Sequence, residues 1–120
     1  MKISEVRDIL GASVIAGEDH LDRSASVGAA SDLMSDLLRC ARAGVIILSG
    51  LNTVQAVRTA IISGAVALVL VRNKQPDEEM VAQARAHGMP LLCSAHSLFA
   101  ACGMLFREGL RGVDEPPSPE

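Results

Sequence analysis

The stretch Gly44–Arg72, GVIILSGLNTVQAVRTAIISGAVALVLVR, decides the fold. Val45–Leu48 is a short, continuous apolar run with turn residues on both sides, which is typical of a strand buried on both faces of a sheet. From Thr53 the apolar residues recur at helical spacing until Ser63. Ala65–Val71 is then a second continuous apolar run and predicts a second buried strand. The order strand, helix, strand describes a β-α-β unit, and we therefore expect a parallel sheet.

The residues before this unit predict further elements. Apolar spacing indicates a helix over 3–10, which Ser4 could cap, and a strand over 12–16. The pattern weakens over 17–30, where we expect a loop with an irregular or edge strand. Ser31–Asp32 is a typical helix start, and the helix that follows it would end before Gly44.

The residues after this unit continue the alternation of helices and strands. Pro76 at a first helical position, followed by three acidic residues, predicts a surface helix. Residues 88–94 predict a third buried strand. Ser94 or Ser97 could cap a last helix, in which Leu98, Cys102 and Leu105, flanked by Phe99 and Phe106, would point to the core.

Length and composition limit the classes of protein to consider. The chain has 120 residues and is 49% hydrophobic, which is enough for one domain with its own core. We assign residues 1–112 to that domain and 113–120 to a disordered, acidic, proline-rich tail. The chain has two phenylalanines and no tryptophan or tyrosine, so it offers no aromatic platform on which bases could stack. Its net charge is −3, and its basic residues are scattered along the sequence. Nucleic acid is therefore not an expected partner.

Neither a membrane segment nor a metal centre is expected. The N-terminal residues are charged where a signal peptide is apolar, and no apolar run has the length of a membrane span, so we expect a cytoplasmic protein. Cys40, Cys93 and Cys102 lie far apart in apolar surroundings, which favours buried thiols over a disulfide framework or a zinc site. We predict no metal and no cofactor.

Three loops follow the predicted buried strands, and in an open α/β sheet ligands bind at the carboxyl ends of the strands. Each loop places hydroxyls, amides or positive charge beside a helix N-terminus, where a phosphate or carboxylate is favoured. The candidate ligand-binding residues are Ser49, Gly50, Asn52, Thr53, Arg72, Lys74, Ser94 and His96. In the alternative interpretation the polar residues are helix caps, and Arg72 and Lys74 are solvated charges at a strand end.

Signatures of catalysis are missing. The sequence has no phosphate-binding Gly-x-x-x-x-Gly-Lys-Ser/Thr motif and no Gly-x-Gly-x-x-Gly motif, and its histidines are not spaced as a metal-binding pair. Asp32 and Asp36 are four residues apart in the predicted helix, but with Arg39 and Arg42 nearby we interpret them as part of a solvated polar face. No catalytic residue is assigned.

Several segments together resemble the DRTGG domain family. They are Ser31–Leu38, Ser49–Leu51, Gln55–Ala60, Leu70–Glu79 and Phe99–Leu110, and they agree in the right order over nearly the whole chain. The family is similar to the N-terminal domain of bacterial HPr kinase/phosphorylase and also occurs in regulated inorganic pyrophosphatases. The resemblance implies a three-layer α/β/α domain with a mainly parallel sheet that often pairs with itself.

Two departures from the family pattern affect what can be carried over. The five-residue string that names the family has only a partial echo in Asp22-Arg23-Ser24. Asn73 stands where the family's loop would have glycine, which bears on any anion contact through the backbone there. A kinase activity is not implied, because the catalytic machinery of HPr kinase lies in its other domain.

The residues and the resemblance together leave three hypotheses for function. The first is a non-catalytic regulatory or ligand-sensing domain that forms a homodimer and binds a nucleotide or other anionic small molecule. The second is an adaptor that docks a partner protein through an apolar face such as Leu98–Phe106 without a small-molecule ligand. The third is a small enzyme, which would depend on Arg72, Lys74 or His96.

Overall fold

The computed structural model describes residues 1–113. Helices and strands alternate along these residues, with a short 3-10 helix at Glu18–His20. The helices are α1 Ile3–Leu10, α2 Met34–Cys40, α3 Val54–Ser63, α4 Glu78–Ala86 and α5 Leu98–Arg107. The strands are β1 Ser13–Ala16, β2 Val27–Ala30, β3 Val45–Ser49, β4 Ala67–Leu70 and β5 Leu91–Cys93.

The five strands form one sheet in the order β1-β5-β4-β3-β2. Strands β2 to β5 are parallel to their neighbours, as the β-α-β pattern predicts, and β1 is antiparallel to β5. The sheet is thus mixed, with one antiparallel edge strand on an otherwise parallel core. All parallel strands present their carboxyl ends at one edge, here called the carboxyl edge.

Alternate residues of the central strands supply two separate cores. Ile47 and Leu68 point to the side covered by α2, α3 and α4, whereas Ile46 and Val69 point to the side covered by α1 and α5. Because successive side chains of a strand point to opposite faces, continuous apolar runs are required where both faces are covered. The predicted three-layer α/β/α architecture is confirmed.

Three predicted helix starts were wrong. Helix α1 begins after Lys2, whose amide donates to Glu5 Oε1, and Ser4 lies inside the helix. Helix α2 begins at Met34, so Ser31–Asp32 precedes it and Asp32 does not share its face with Asp36. In α4 the N-cap is Asp77, whose carboxylate accepts the Met80 amide, and Pro76 lies outside.

Helix α5 turns Leu98, Cys102 and Leu105 towards the core as predicted, and its two phenylalanines lie outside. Ala101 and Leu105 are the buried residues of α5, whereas Phe99 is 90% exposed and Phe106 is 50% exposed. The small Ala101 sits where α5 lies against the sheet, so the aromatic residues are turned to the outer side. Leu38 of α2 is likewise exposed.

The C-terminal residues are described only in part. The Gly28 amide donates to the Arg111 carbonyl and the Val113 amide donates to the Gly28 carbonyl, which joins 111–113 to the open edge of β2. The predicted disordered tail lies outside the described residues from Asp114 onwards. None of the helices described in residues 1–113 has the length and apolar character needed to cross a membrane.

Candidate functional site

The loops at the carboxyl edge are joined to one another by hydrogen bonds. The Asn52 side-chain amide donates to the Gln75 carbonyl, at 3.1 Å, and links the loop after β3 to the loop after β4. The Arg72 amide donates to the His96 carbonyl, at 2.7 Å, and the Asn73 amide to the Ser94 carbonyl, at 2.9 Å. The three loops that the sequence singles out therefore form one connected surface.

The turn after β4 has an unusual backbone. Arg72 and Asn73 have φ values of 56° and 58°, in the left-handed region. Asparagine tolerates this conformation well, so Asn73 adopts the backbone that a glycine would adopt there. Arginine does not favour it, at a cost of about 1–2 kcal/mol, and the two amide bonds to the 94–96 loop hold Arg72 in place. Strain of this kind is found most often at functional sites.

The guanidinium of Arg72 pairs with the carboxylate of Asp32, which follows β2. Arg72 Nη1 lies 2.9 Å from Asp32 Oδ2, and the Gly50 amide donates to Asp32 Oδ1 at 2.6 Å. A Cβ atom built on Gly50 would overlap Arg72 Nη2 and lie 3.1 Å from Asp32 Oδ1. Gly50 therefore leaves the space that the ion pair fills. Asp32 joins the site although sequence reasoning placed it on a helix.

The environment of Asp32 lowers the pKa of its carboxyl group below the ordinary 3.8. The main cause is the hydrogen bond from the Gly50 amide; Arg72 and Lys74 add to it, and partial burial opposes it. A lowered pKa in the folded state means that the unfolded state binds more protons as pH falls. The stability due to Asp32 is thus complete above pH 3.8 and is lost as pH falls through the lower, folded-state pKa.

Replacing Asp32 with asparagine is expected to destabilise the fold modestly near neutral pH, and the effect should fade below pH 3.8. The Asp32 side chain is 39% exposed, so solvent screening limits the loss to less than about 1 kcal/mol. Chemical denaturation of both proteins across pH would measure it. An equal difference at all pH values, or an NMR pKa of Asp32 above 3.8, would contradict the assignment.

The predicted polar residues have different positions and partners. Ser49 and Ser94 are buried, and their hydroxyls accept the amides of Leu51 and His96 within tight turns. Thr53 caps α3 by accepting the Ala56 amide, and Ser97 caps α5 in the same way. These serine and threonine oxygens are used inside the fold, which agrees with the cap interpretation for Thr53 and Ser97.

Two further candidate residues, Lys74 and His96, are exposed to solvent. Lys74 is exposed, and its charge is near enough to lower the pKa of Asp32. His96 is exposed, and its backbone rather than its ring makes the bonds described here. Asp32, Arg72 and Lys74 together carry a net charge of −1 + 1 + 1 = +1 at neutral pH. The cluster offers two cationic donors and one carboxylate acceptor side by side.

The first turns of the surrounding helices favour an anion at some positions and not at others. Helices α3 and α5 have no acidic residue in the first turn, whereas α4 begins with Glu78 and Glu79. The positive ends of α3 and α5 are thus uncompensated, and that of α4 is already neutralised. An anion at this edge would be favoured near the N-termini of α3 and α5 rather than near that of α4.

Thiols and metal ligands do not add to the site. Burial raises the pKa of the Cys93 and Cys102 thiols, so neither has the character of an activated nucleophile. Cys40 and Cys93 are buried as predicted, while Cys102 is partly exposed. Within residues 1–113, no cluster of three or more histidine, cysteine or acidic side chains is arranged to hold a metal ion.

The family model described as "DRTGG domain" matches residues 5–107. The chain belongs to the DRTGG domain family. The resemblance carried by its separate sequence segments is thus confirmed. None of the curated proteins compared with the chain matches it significantly.

A solved structure has the same fold as this DRTGG domain. It contains the CBS and DRTGG domains of the regulatory region of Clostridium perfringens pyrophosphatase, complexed with the activator diadenosine tetraphosphate. The TM-score is 0.74 at 16% sequence identity, and the match covers 94% of this chain and 48% of that chain. This DRTGG domain thus spans about half the length of the pyrophosphatase fragment that it matches.

Residues 22–24, which partly match the five-residue string that names the family, lie away from the candidate site. Asp22-Arg23-Ser24 precedes the amino end of β2, and the Arg23 carbonyl accepts the amide of Ile3 at the start of α1. Arg72 follows the carboxyl end of β4, at the opposite edge of the sheet. A contribution of residues 22–24 to a ligand at Arg72 is therefore not supported by their position.

Proposed function

We propose that this DRTGG domain is a non-catalytic regulatory domain that binds a nucleotide or another anionic small molecule at the carboxyl edge of its sheet and forms a homodimer. The observation that carries the proposal is Arg72. Its strained backbone is held by the amide bonds of Arg72 and Asn73 to the 94–96 loop, and its guanidinium, paired with Asp32, lies at the edge where α/β sheets bind ligands.

The chemistry of the cluster suits a ligand that carries both negative charge and hydrogen-bond donors. Phosphate or carboxylate oxygens would accept bonds from Arg72 and Lys74, which are charge-assisted and stronger than neutral ones. Asp32 would accept a hydroxyl or amino group of the same molecule. A nucleotide combines these groups. That the regulatory region of the matched pyrophosphatase was solved with a nucleotide activator supports a role of this kind.

A thermal-shift screen with nucleotides, phosphorylated metabolites and simple carboxylates tests ligand binding. A compound that binds only the folded state stabilises it by about 2.7 kcal/mol at a hundredfold excess over Kd. We expect a dose-dependent rise in Tm with one class of anion. A flat response to the whole panel would contradict ligand sensing.

The adaptor function remains the second candidate, because Phe99 is almost fully exposed on α5. An adaptor without a small-molecule ligand would give the flat response and would depend on this helix rather than on Arg72. A small enzyme is disfavoured, because the cluster lacks a positioned nucleophile among the residues described. Cytoplasmic location remains a prediction.

A further inference from the structure

The outer face of α5 carries an apolar stripe that the described residues 1–113 leave partly exposed. Phe99, Cys102 and Phe106 follow one another at spacings of three and four, so they lie along one side of the helix. Phe99 is 90% exposed and Phe106 is 50% exposed. Phe99 at the start of this stripe is therefore an apolar knob for which residues 1–113 provide no socket.

The far end of the same stripe leads into an apolar cavity. The cavity has a volume of about 200 Å³ and lies between α5, β2 and residues 110–112. Its walls include Ala30, Leu48, Cys102, Leu105, Phe106 and Leu110. Since an apolar cavity of about 150 Å³ holds benzene, this one has room for a phenyl ring. Arg111 lies 4.1 Å over the ring of Phe106 and holds that wall in position.

The knob and the socket are placed so that two copies of the chain complement each other. The midpoint between residues 99 and 106 falls between Cys102 and Gly103. A two-fold axis through that midpoint would set two α5 helices antiparallel and bring Phe99 of each copy to Phe106 of the other. A closed, symmetric dimer requires one surface patch that is complementary to itself. Here the knob and the socket lie on opposite sides of the two-fold axis, so each copy supplies both.

Gly103 fits the same arrangement. It lies in the interior of α5, has an ordinary helical φ, and a Cβ atom built on it meets nothing within 4 Å. The fold of one copy therefore does not require glycine, although glycine weakens a helix relative to alanine. Close approach of a second helix at this point requires a residue without a side chain.

We propose that α5 is the homodimer face of this domain, with Phe99 of each copy inserted into the cavity beside Phe106 of the other. The inference rests on the self-association in the proposed function and is independent of the anionic ligand. The two phenylalanines of both copies would bury roughly 500 Å² together. Stable interfaces bury about 1,200–2,000 Å², so the helix faces and cavity walls must supply the rest.

The test is analytical ultracentrifugation of the full chain over a wide concentration range. Phe99→Gln removes the knob, and because Phe99 is exposed the fold is kept. Ile62→Gln is the matched control, since Ile62 is 86% exposed on α3, on the opposite side of the sheet. We expect the wild type and Ile62→Gln to form the same dimer, and Phe99→Gln to raise the dissociation constant at least tenfold.

A second variant tests the helix crossing. Gly103→Gln introduces a good helix former at an open position, so the thermal stability of the monomer should be kept or raised while dimerisation is lost. A dimer unaffected by both Phe99→Gln and Gly103→Gln would overturn the α5 face and leave self-association standing. A wild type that is monomeric at all concentrations would overturn self-association itself.

Discussion

Replacing Arg72 and Lys74 together with alanine is expected to weaken binding of the anionic ligand about a hundredfold or more. Hydrogen bonds to charged groups contribute about 1.5–3 kcal/mol each, and both side chains are exposed, so we take the lower end for each. Two such bonds amount to about 3 kcal/mol, and every 1.4 kcal/mol is tenfold in affinity. Isothermal titration calorimetry with the stabilising compound from the screen would measure the loss.

The control for this variant must change the net charge equally. Arg42→Ala with Arg107→Ala also removes two positive charges, but Arg42 precedes β3 and Arg107 ends α5, so both lie away from the carboxyl edge. We expect the control to bind within about threefold of the wild type, since only screened, long-range attraction is lost. Equal losses in both double variants would mean that overall charge, not the turn after β4, determines binding.

Replacing Gly17 with alanine is expected to lower the free energy of unfolding by about 2–4 kcal/mol. This is the sum of two costs, that of holding alanine at a left-handed φ and that of packing an extra atom into a filled space. Gly17 has a φ of 77°, and an added Cβ atom would lie 2.5 Å from the Cα of Pro90. The nearest atoms that the added Cβ would meet belong to the backbone of Pro90, immediately before β5. They cannot move aside without shifting that strand. In a domain of this size we expect Tm to fall by roughly 10 °C.

Gly11→Ala separates the two contributions. Gly11 also has a positive φ, of 59°, but a Cβ atom there meets nothing within 4 Å. This variant should lose only the backbone cost of about 1 kcal/mol. Thermal unfolding of the two variants and the wild type would measure both effects. A loss in Gly17→Ala no larger than in Gly11→Ala would contradict the close packing of the turn against Pro90.

The central β3-α3-β4 unit could be predicted because its strands are buried on both faces. Val45–Leu48 and Ala67–Leu70 must be apolar throughout, and such runs are rare outside a covered sheet. The outward position of the α5 phenylalanines could not be predicted in the same way. The apolar residues of this helix occupy a wide arc, and the buried side is set by how closely the helix approaches the sheet, which favours Ala101 over Phe99.

Asp32 shows why the candidate site was only partly predicted. Its partners Gly50 and Arg72 are 18 and 40 residues away, so local spacing cannot reveal the pairing. A signal was nevertheless present. Asp32 follows β2, and recognition of β2 as a parallel neighbour of β3 would have placed it at the carboxyl edge beside Ser49-Gly50. The weak pattern of β2, with its small residues, concealed that strand.

The most direct test of the central claim is an NMR titration of the ¹⁵N-labelled protein with the nucleotides and phosphorylated metabolites of the screen, following each backbone amide. We expect saturable shifts concentrated in residues 49–53, 72–75 and 94–97, with the largest changes at the Arg72–Asn73 turn and at Gly50. Shifts confined to α5 and β2, or the absence of saturable shifts at the three loops with every compound, would contradict a ligand site at the carboxyl edge.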